Sequence, residues 1–150
     1  MYARVLRKEV ADGPFHPGHA CQAGRGRSAA RKARESLART VTRLFDRWQL
    51  AVTDQAALLG LSPDSRTALS RYRRGGALPD SEDLLARVGH LITIHDALRI
   101  MFPYNPELAC AWVATPNPNF GGLTPLAYMR GNGFLGAAKV RRYLDFERGR

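Results

Sequence analysis

Cysteine is scarce in this sequence, and long hydrophobic runs are missing. Cys21 and Cys110 lie far apart, and no Cys-x-x-Cys pair is present, so neither a disulfide framework nor a zinc ribbon is supported. No segment approaches the roughly 18 apolar residues of a membrane span, and none has the apolar core of a signal peptide. The sequence therefore predicts a cytoplasmic protein in a reducing compartment, with no membrane partner.

Acidic residues are also few, above all near the N-terminus. The formal charge is +10, and residues 1–40 hold nine Lys and Arg against three Asp and Glu. Such an imbalance favours a polyanionic partner, and nucleic acid before a membrane, because no basic amphipathic helix of the membrane type accompanies it. Residues 1–34, broken by Gly13-Pro14 and Pro17-Gly18, are interpreted as a basic flexible arm. The run from Arg27 to Arg39 either contacts DNA phosphates or forms a solvated helix face.

The sequence also lacks a recognisable set of catalytic or metal-binding residues. No Ser/His/Asp, Cys/His or paired-carboxylate arrangement has a context that supports catalysis, so we expect neither an enzyme nor a cofactor. His16, His19 and Cys21 lie close in sequence but lack a fourth ligand at a sensible spacing. His90 and His95 are five residues apart, which is a poor spacing for joint metal ligation on one helix face. No metal site is therefore predicted.

Residues 35–77 have the pattern of a helix-turn-helix. Helical periodicity begins at Glu35, with apolar residues at i, i+4, i+7, i+8 and i+11, namely Leu37, Val41, Leu44, Phe45 and Trp48. Thr53 is expected to cap a second, short helix that stops at Gly60. Ser62-Pro63-Asp64 is expected to open a third helix, which ends at Gly75-Gly76. Two short helices joined by a tight turn after an amphipathic helix fit this motif.

The third of these helices has one apolar and one polar side. Leu69 and Tyr72 point one way, and the opposite side carries the residue types that reach phosphates and base edges from a helix in the major groove. The predicted DNA-binding residues are Arg66, Thr67, Ser70, Arg71 and Arg74. The alternative is a surface helix that is merely basic.

Residues 78–150 continue the helical pattern. Leu78-Pro79-Asp80-Ser81 is expected to open a helix of about 20 residues, roughly 30 Å long, that runs to Pro103. Its apolar positions occupy more than one stripe, which predicts two packing partners, one of which could be a second subunit. Asn105-Pro106-Glu107 then starts the helix bearing Trp112. No segment has the pattern of a strand bundle, so we expect an all-α fold.

The stretch from Trp112 to Leu144 is the most informative. Pro116, Pro118, Gly121 and Gly122 end any preceding helix and force a turn. Thr124 then supplies an N-cap, and Pro125 takes the first helical position. This helix is expected to end at Gly131 or Gly133, and a further helix from about Phe134 places Leu135, Val140 and Leu144 near one face.

The chain thus combines, in order, a tryptophan, a Pro-Asn turn, a Phe-Gly pair, a Thr-Pro-Leu helix start and a Gly-broken helix pair. This arrangement resembles the toxin-binding domain of the MbcA/ParS/Xre antitoxin family. The resemblance covers roughly residues 60–146. It implies a small helical toxin-binding domain at 78–150 after the helix-turn-helix-like region at 35–77. It also implies a partner toxin, typically a RES-domain protein that consumes NAD by hydrolysis, phosphorolysis or ADP-ribosyl transfer, whose active-site cleft the antitoxin covers.

The resemblance further implies repression of the pair's own operon and an assembly with the toxin, as a homodimer or higher oligomer. The toxin-binding residues that we expect are Trp112, Pro116, Asn117, Phe120, Lys139, Arg141, Arg142 and Arg148. The rival interpretation is a stand-alone DNA-binding transcriptional regulator whose C-terminal helices serve only dimerisation.

Overall fold

The computed structural model describes the backbone of residues 19–150 and the side chains of residues 24–150. Within that part the fold is all-α, as predicted, with no strand. The helices are α1 (His19–Arg47), α2 (Val52–Leu58), α3 (Arg66–Arg73), α4 (Glu82–Met101), α5 (Pro106–Ala111) and α6 (Pro125–Arg148). Two 3₁₀ turns, Trp112–Ala114 and Pro118–Phe120, lie between α5 and α6. None of these helices is long and apolar enough to cross a membrane.

Helix α1 begins earlier than predicted. It starts at His19 rather than near Glu35, so residues 19–34 of the predicted flexible arm are helical. The reason is local, because Ala, Arg and Lys are strong helix formers and need no apolar stripe on an exposed segment. The rest of the predicted arm, and the side chains of the His16, His19 and Cys21 group, lie outside the described residues.

The helix-turn-helix region is present, but its predicted caps are wrong. Helix α2 begins at Val52 after Ala51, which makes no side-chain cap, so Thr53 lies inside the helix. Helix α3 begins at Arg66 rather than at Ser62, because the chain first makes a turn in which the Ser65 amide donates to the Ser62 carbonyl at 3.0 Å. The position of a tight turn depends on how α2 and α3 pack, which the local cap signal does not contain.

The caps of the later helices are as predicted. Each is a short polar side chain whose oxygen accepts a hydrogen bond from the amide three residues on, which satisfies a helix end that would otherwise lack a partner. The pairs are Ser81 with Leu84 at 3.4 Å, Asn105 with Leu108 at 2.9 Å and Thr124 with Ala127 at 3.0 Å. Helix α5 ends at Ala111, so Trp112 belongs to the 3₁₀ turn that follows rather than to the helix itself.

Helix α4 lies at the centre of the fold. It packs against α1 on one side and α6 on another, and also contacts α5, which accounts for apolar residues on more than one stripe. Leu91, Ile94 and Leu98 are fully buried between these partners. One continuous apolar core joins the helices before and after residue 78, and α2 also packs on α6. The Arg130–Asp54 ion pair connects those two helices.

Helix α6 is broken at Gly133, as predicted. Gly133 has φ 57° and ψ −134°, a region that essentially only glycine adopts. Beyond the break, Val140 and Leu144 are fully buried. Leu135, predicted to share their face, is instead 75% exposed, because Val140 and Leu144 follow it at i+5 and i+9, which is about 140° to 180° around the helix and so on the opposite side.

Candidate functional site

Four aromatic rings form a cluster between α6 and the loop that precedes it. Trp112 stacks on Tyr143, with ring centroids 6.3 Å apart and an interplanar angle of 14°. Phe120 is buried and lies 5.1 Å from Tyr128 and 5.3 Å from Tyr143. The rings of Trp112 and Phe120 are nearly perpendicular, with centroids 6.3 Å apart. We call Trp112, Phe120, Tyr128 and Tyr143 the aromatic cluster, and its half-buried members reach the protein surface.

The loop from 115 to 124 is held in one shape by its own polar groups. The Asn117 side chain accepts a hydrogen bond from the Asn119 amide at 2.9 Å, which caps the 3₁₀ turn at Pro118–Phe120. Gly121 and Gly122 have φ of 66° and 80°, values that glycine adopts without steric cost. The Asn119 side-chain amide donates to the Tyr143 hydroxyl at 3.1 Å. The loop is thereby fixed to both the aromatic cluster and α6.

The structure brings four of the predicted toxin-binding residues together. Trp112 and Phe120 belong to the aromatic cluster, and Asn117 shapes the loop that carries Phe120. The Lys139 ammonium lies 5.2 Å from the ring centroid of Tyr128, within the range of a cation–π interaction. Phe120 is only 3% exposed, so it supports the surface from below rather than forming part of it.

The other predicted residues of this set are divided between two sides of α6 and the loop. Pro116 is exposed in the loop, and Arg142 is exposed one turn beyond Lys139. Arg141 and Arg148 lie on a different flank, where both pair with Asp145, at 3.8 and 3.4 Å. Arg142 therefore shares a surface with Lys139, whereas Arg141 and Arg148 border it.

The outer side of α6 carries two exposed apolar residues that sequence reasoning missed as a surface. Leu135 is 75% exposed and Phe146 is 63% exposed. Together with Lys139 and Arg142 they stand at i, i+4, i+7 and i+11, a spacing that places all four on one helix face. We call Leu135, Lys139, Arg142 and Phe146 the outer stripe. The signal in the sequence was this spacing, which excludes the core residues Val140 and Leu144.

A half-buried histidine joins α6 to α4. The Arg141 guanidinium donates to Nδ1 of His90 at 3.3 Å, and the His90 ring packs edge-on against Phe134, with centroids 5.1 Å apart. Burial lowers the pKa of His90 below its usual value of 6.5, and the positive charge of Arg141 lowers this pKa further. The neutral imidazole thus serves as an acceptor for Arg141, which holds that arginine on the flank of the outer stripe.

The predicted DNA-binding face of α3 is outermost in the structure. Leu69 and Tyr72 are buried, as predicted, whereas the opposite side is exposed or half-buried, at Arg66, Thr67, Ser70, Arg71 and Arg74. The Arg74 guanidinium donates to the Ser70 hydroxyl at 2.8 Å. Arg73, between them in sequence, pairs with Asp46 of α1 at 2.6 Å. That pair fixes α3 on the body and leaves its polar face outward.

No cluster of three or more His, Cys, Asp or Glu that could hold a metal ion is present among residues 24–150. A mostly apolar hollow of about 600 Å³ lies between the end of α1 and α5, and residues such as Trp48, Pro106 and Cys110 line it. This hollow is open and lies on a different face from the aromatic cluster. It contains no set of titratable groups aimed at one point.

Comparison with known proteins adds three findings. Residues 97–150 match the model of the antitoxin Xre/MbcA/ParS C-terminal toxin-binding domain, and residues 28–92 match that of the antitoxin Xre-like helix-turn-helix domain. A protein of Sinorhizobium fredii named "Uncharacterized protein y4oB" is 39% identical over 107 residues, which is 71% of this chain and 80% of that protein. The aromatic cluster and the outer stripe fall in the first matched region, and α3 falls in the second.

Proposed function

The chain belongs to the Xre/MbcA/ParS antitoxin family, and on that premise we propose that it neutralises a RES-domain toxin that consumes NAD. The proposed contact surface is the outer stripe together with the exposed edge of the aromatic cluster. The observation that carries this proposal is the exposure of Leu135 and Phe146, at 75% and 63%, within the region that matches a toxin-binding domain.

The composition of the outer stripe suits a protein partner. Two large apolar side chains at its ends can fill pockets of a facing surface, while Lys139 and Arg142 between them can pair with carboxylates. Aromatic and arginine side chains are the groups most often found at the energetic centres of such interfaces. The half-buried Trp112 stacks on Tyr143, the residue that follows Arg142 on α6, and would add to the apolar area of the contact surface.

The proposed mechanism of neutralisation is occlusion of the toxin's cleft. An enzyme that binds NAD must leave its cleft open to a large dinucleotide, so a helix laid across the mouth blocks the substrate. Lys139 and Arg142 would reach acidic groups or carbonyls at that mouth through charge-assisted hydrogen bonds. Arg141 and Arg148 border the surface, and their shared ion pair with Asp145 keeps them oriented there.

The test asks whether the gene beside that of this chain encodes a RES-domain protein, and whether this chain inhibits NAD consumption by that protein. The variant Leu135→Glu/Phe146→Glu should inhibit at least about 30-fold more weakly, which corresponds to ~2 kcal/mol less binding free energy from two apolar anchors. A matched control is Ile100→Glu, because Ile100 is 58% exposed but lies on α4, outside the outer stripe. That control should inhibit like the unmodified protein.

Two results would contradict different parts of the proposal. If the double variant inhibits as well as the unmodified protein, the outer stripe is not the contact surface. If the unmodified protein neither binds nor inhibits the RES-domain protein, the choice of toxin class is wrong. The rival function, a transcriptional regulator whose C-terminal helices only dimerise, predicts instead that the double variant halves the molecular mass in solution.

A second proposed activity is repression of the operon that encodes the pair. Here α3 would enter the major groove, with Arg66, Thr67, Ser70, Arg71 and Arg74 toward the DNA. The variant Arg66→Ala/Arg71→Ala should weaken operator binding by about 1–3 kcal/mol for each of the two side chains that reads a base and leave toxin inhibition unchanged. A gel-shift titration at two salt concentrations measures this, and an unchanged double variant would show that α3 is not the recognition helix.

A further inference from the structure

The first turns of α1 extend beyond the body of the protein. Every residue from 24 to 33 is exposed. Contact with the body is made at Arg34, whose carbonyl accepts from the Leu78 amide at 3.4 Å and whose guanidinium donates to the Leu78 carbonyl at 3.2 Å. The segment of residues 24–33, which we call the projecting segment, is therefore an exposed stretch of α1 that precedes this contact.

The composition of the projecting segment restricts what can bind to it. Residues 24–34 contain no acidic residue and no apolar side chain larger than alanine. A membrane surface or a second copy of the chain would need an apolar face, and the segment has none. An exposed helix of about ten residues is also only marginally stable by itself in water. A polyanion is the partner that its charge would attract and that would in turn stabilise the helix.

Three cations on α1 lie near one line along the helix, and this line leads to the end of α3. Arg25, Lys32 and Arg39 are spaced by seven residues, which brings them near one line along the helix. The Arg39 guanidinium lies against Gly75, just after α3, since a Cβ placed on Gly75 would be 3.0 Å from it. The line spans 14 residues and so about 21 Å. It continues outward from the end of the predicted recognition helix.

We propose that the projecting segment is a second DNA-contacting element, which follows the phosphate backbone beside the groove entered by α3. Arg25 and Lys32 of this segment, together with Arg39 further along α1, form the contact line. The inference rests on the proposed operator binding and adds to it, because phosphate contacts supply affinity and orientation without reading sequence. Sequence recognition stays with α3. Residues 24–27, which include Arg25, precede the matched helix-turn-helix region, so the contact line begins before the motif and continues into it.

The salt dependence of DNA binding tests the proposal. Fluorescence anisotropy is measured between 50 and 200 mM salt with the DNA upstream of the chain's own gene and with a random-sequence duplex of equal length. Log affinity falls as log salt rises, and the variant Arg25→Gln/Lys32→Gln should make this negative slope shallower by about 1.8 on both duplexes, since each phosphate contact contributes about 0.9. The fall in affinity over that salt range would then be roughly 12-fold smaller than for the unmodified protein.

Arg27→Gln is the matched control, because Arg27 is exposed on the same segment but points to another side of the helix. It should change the slope much less than the double variant does. Glutamine preserves helix propensity, and unchanged melting temperatures would confirm that the folds are intact.

Three outcomes would overturn the proposal, and they are distinguishable. If the double variant has the same salt dependence as the unmodified protein on both duplexes, the projecting segment does not contact DNA, and the proposal that α3 binds the operator is unaffected. An equal effect of Arg27→Gln shows a diffuse charge effect rather than a contact line. An unmodified protein that binds neither duplex overturns both this inference and the proposed repression.

Discussion

Replacement of Trp112 by alanine tests how the aromatic cluster holds the loop before α6. Trp112 stacks on Tyr143 and is nearly perpendicular to Phe120, with 6.3 Å between ring centroids in both pairs. Removal of the indole would leave Phe120, now only 3% exposed, open to solvent on one side. The loop would lose the ring over which it folds, while the Asn119–Tyr143 hydrogen bond would remain.

The expected cost follows from partial burial. A fully buried tryptophan replaced by alanine costs about 3–5 kcal/mol, but Trp112 is half-buried, so its contribution from burial is smaller. Each aromatic pair adds about 0.5–1.5 kcal/mol beyond the area buried. We therefore expect Trp112→Ala to lower the free energy of unfolding by about 2–3 kcal/mol. The control Trp112→Phe keeps a ring in place and should cost about half as much.

Urea unfolding followed by the emission of Trp48 measures this cost. Trp48 is 4% exposed in the core, and it is the one tryptophan that remains in either variant. A Trp112→Ala variant within about 0.5 kcal/mol of the unmodified protein would show that the cluster does not stabilise the fold. If that variant is as stable as the unmodified protein but no longer inhibits the toxin, Trp112 is instead an anchor of the interface.

Two further predictions concern pH and the break in α6. Burial, and secondarily nearby arginines, lower the pKa of both His90 and His95 below 6.5. The unfolded chain therefore binds protons more readily than the folded one. The free energy of unfolding should accordingly decrease as the pH falls below 6.5. Urea unfolding at pH 7.5 and 5.5 checks this, and replacement of both histidines by glutamine should reduce the difference. Gly133→Ala should lower the free energy of unfolding by about 1–3 kcal/mol because of the backbone conformation at this position. An added Cβ would lie 3.8 Å from Arg87, so it would not clash. An unchanged melting temperature would contradict this prediction.

Local signals determined much of the fold from the sequence. The caps at Ser81, Asn105 and Thr124 and the break at Gly133 were predictable, because each depends on interactions or backbone preferences within a few residues. The apolar period of α4 likewise indicated two packing partners before either was known. The family resemblance was also carried by residues close together in the chain, from Trp112 onward.

Tertiary packing decided the features that depend on distant residues. Tyr128 and Tyr143 join Trp112 only when α6 folds back over the preceding loop, so no spacing in the sequence indicated the aromatic cluster. The turn before α3 replaced the predicted cap at Ser62 because its position is set by packing of α2 and α3.

Exposure was the least predictable property of the candidate site. The spacing of Leu135 from Val140 and Leu144 places it on the opposite side of α6 from them, but spacing alone does not determine which of the two sides other helices will cover. The sequence by itself determined that the chain is helical, where the three helices after residue 78 begin, and which family it resembles. The tertiary structure decided which side chains remain on the surface, because burial depends on the sum of contacts that distant helices make with one another.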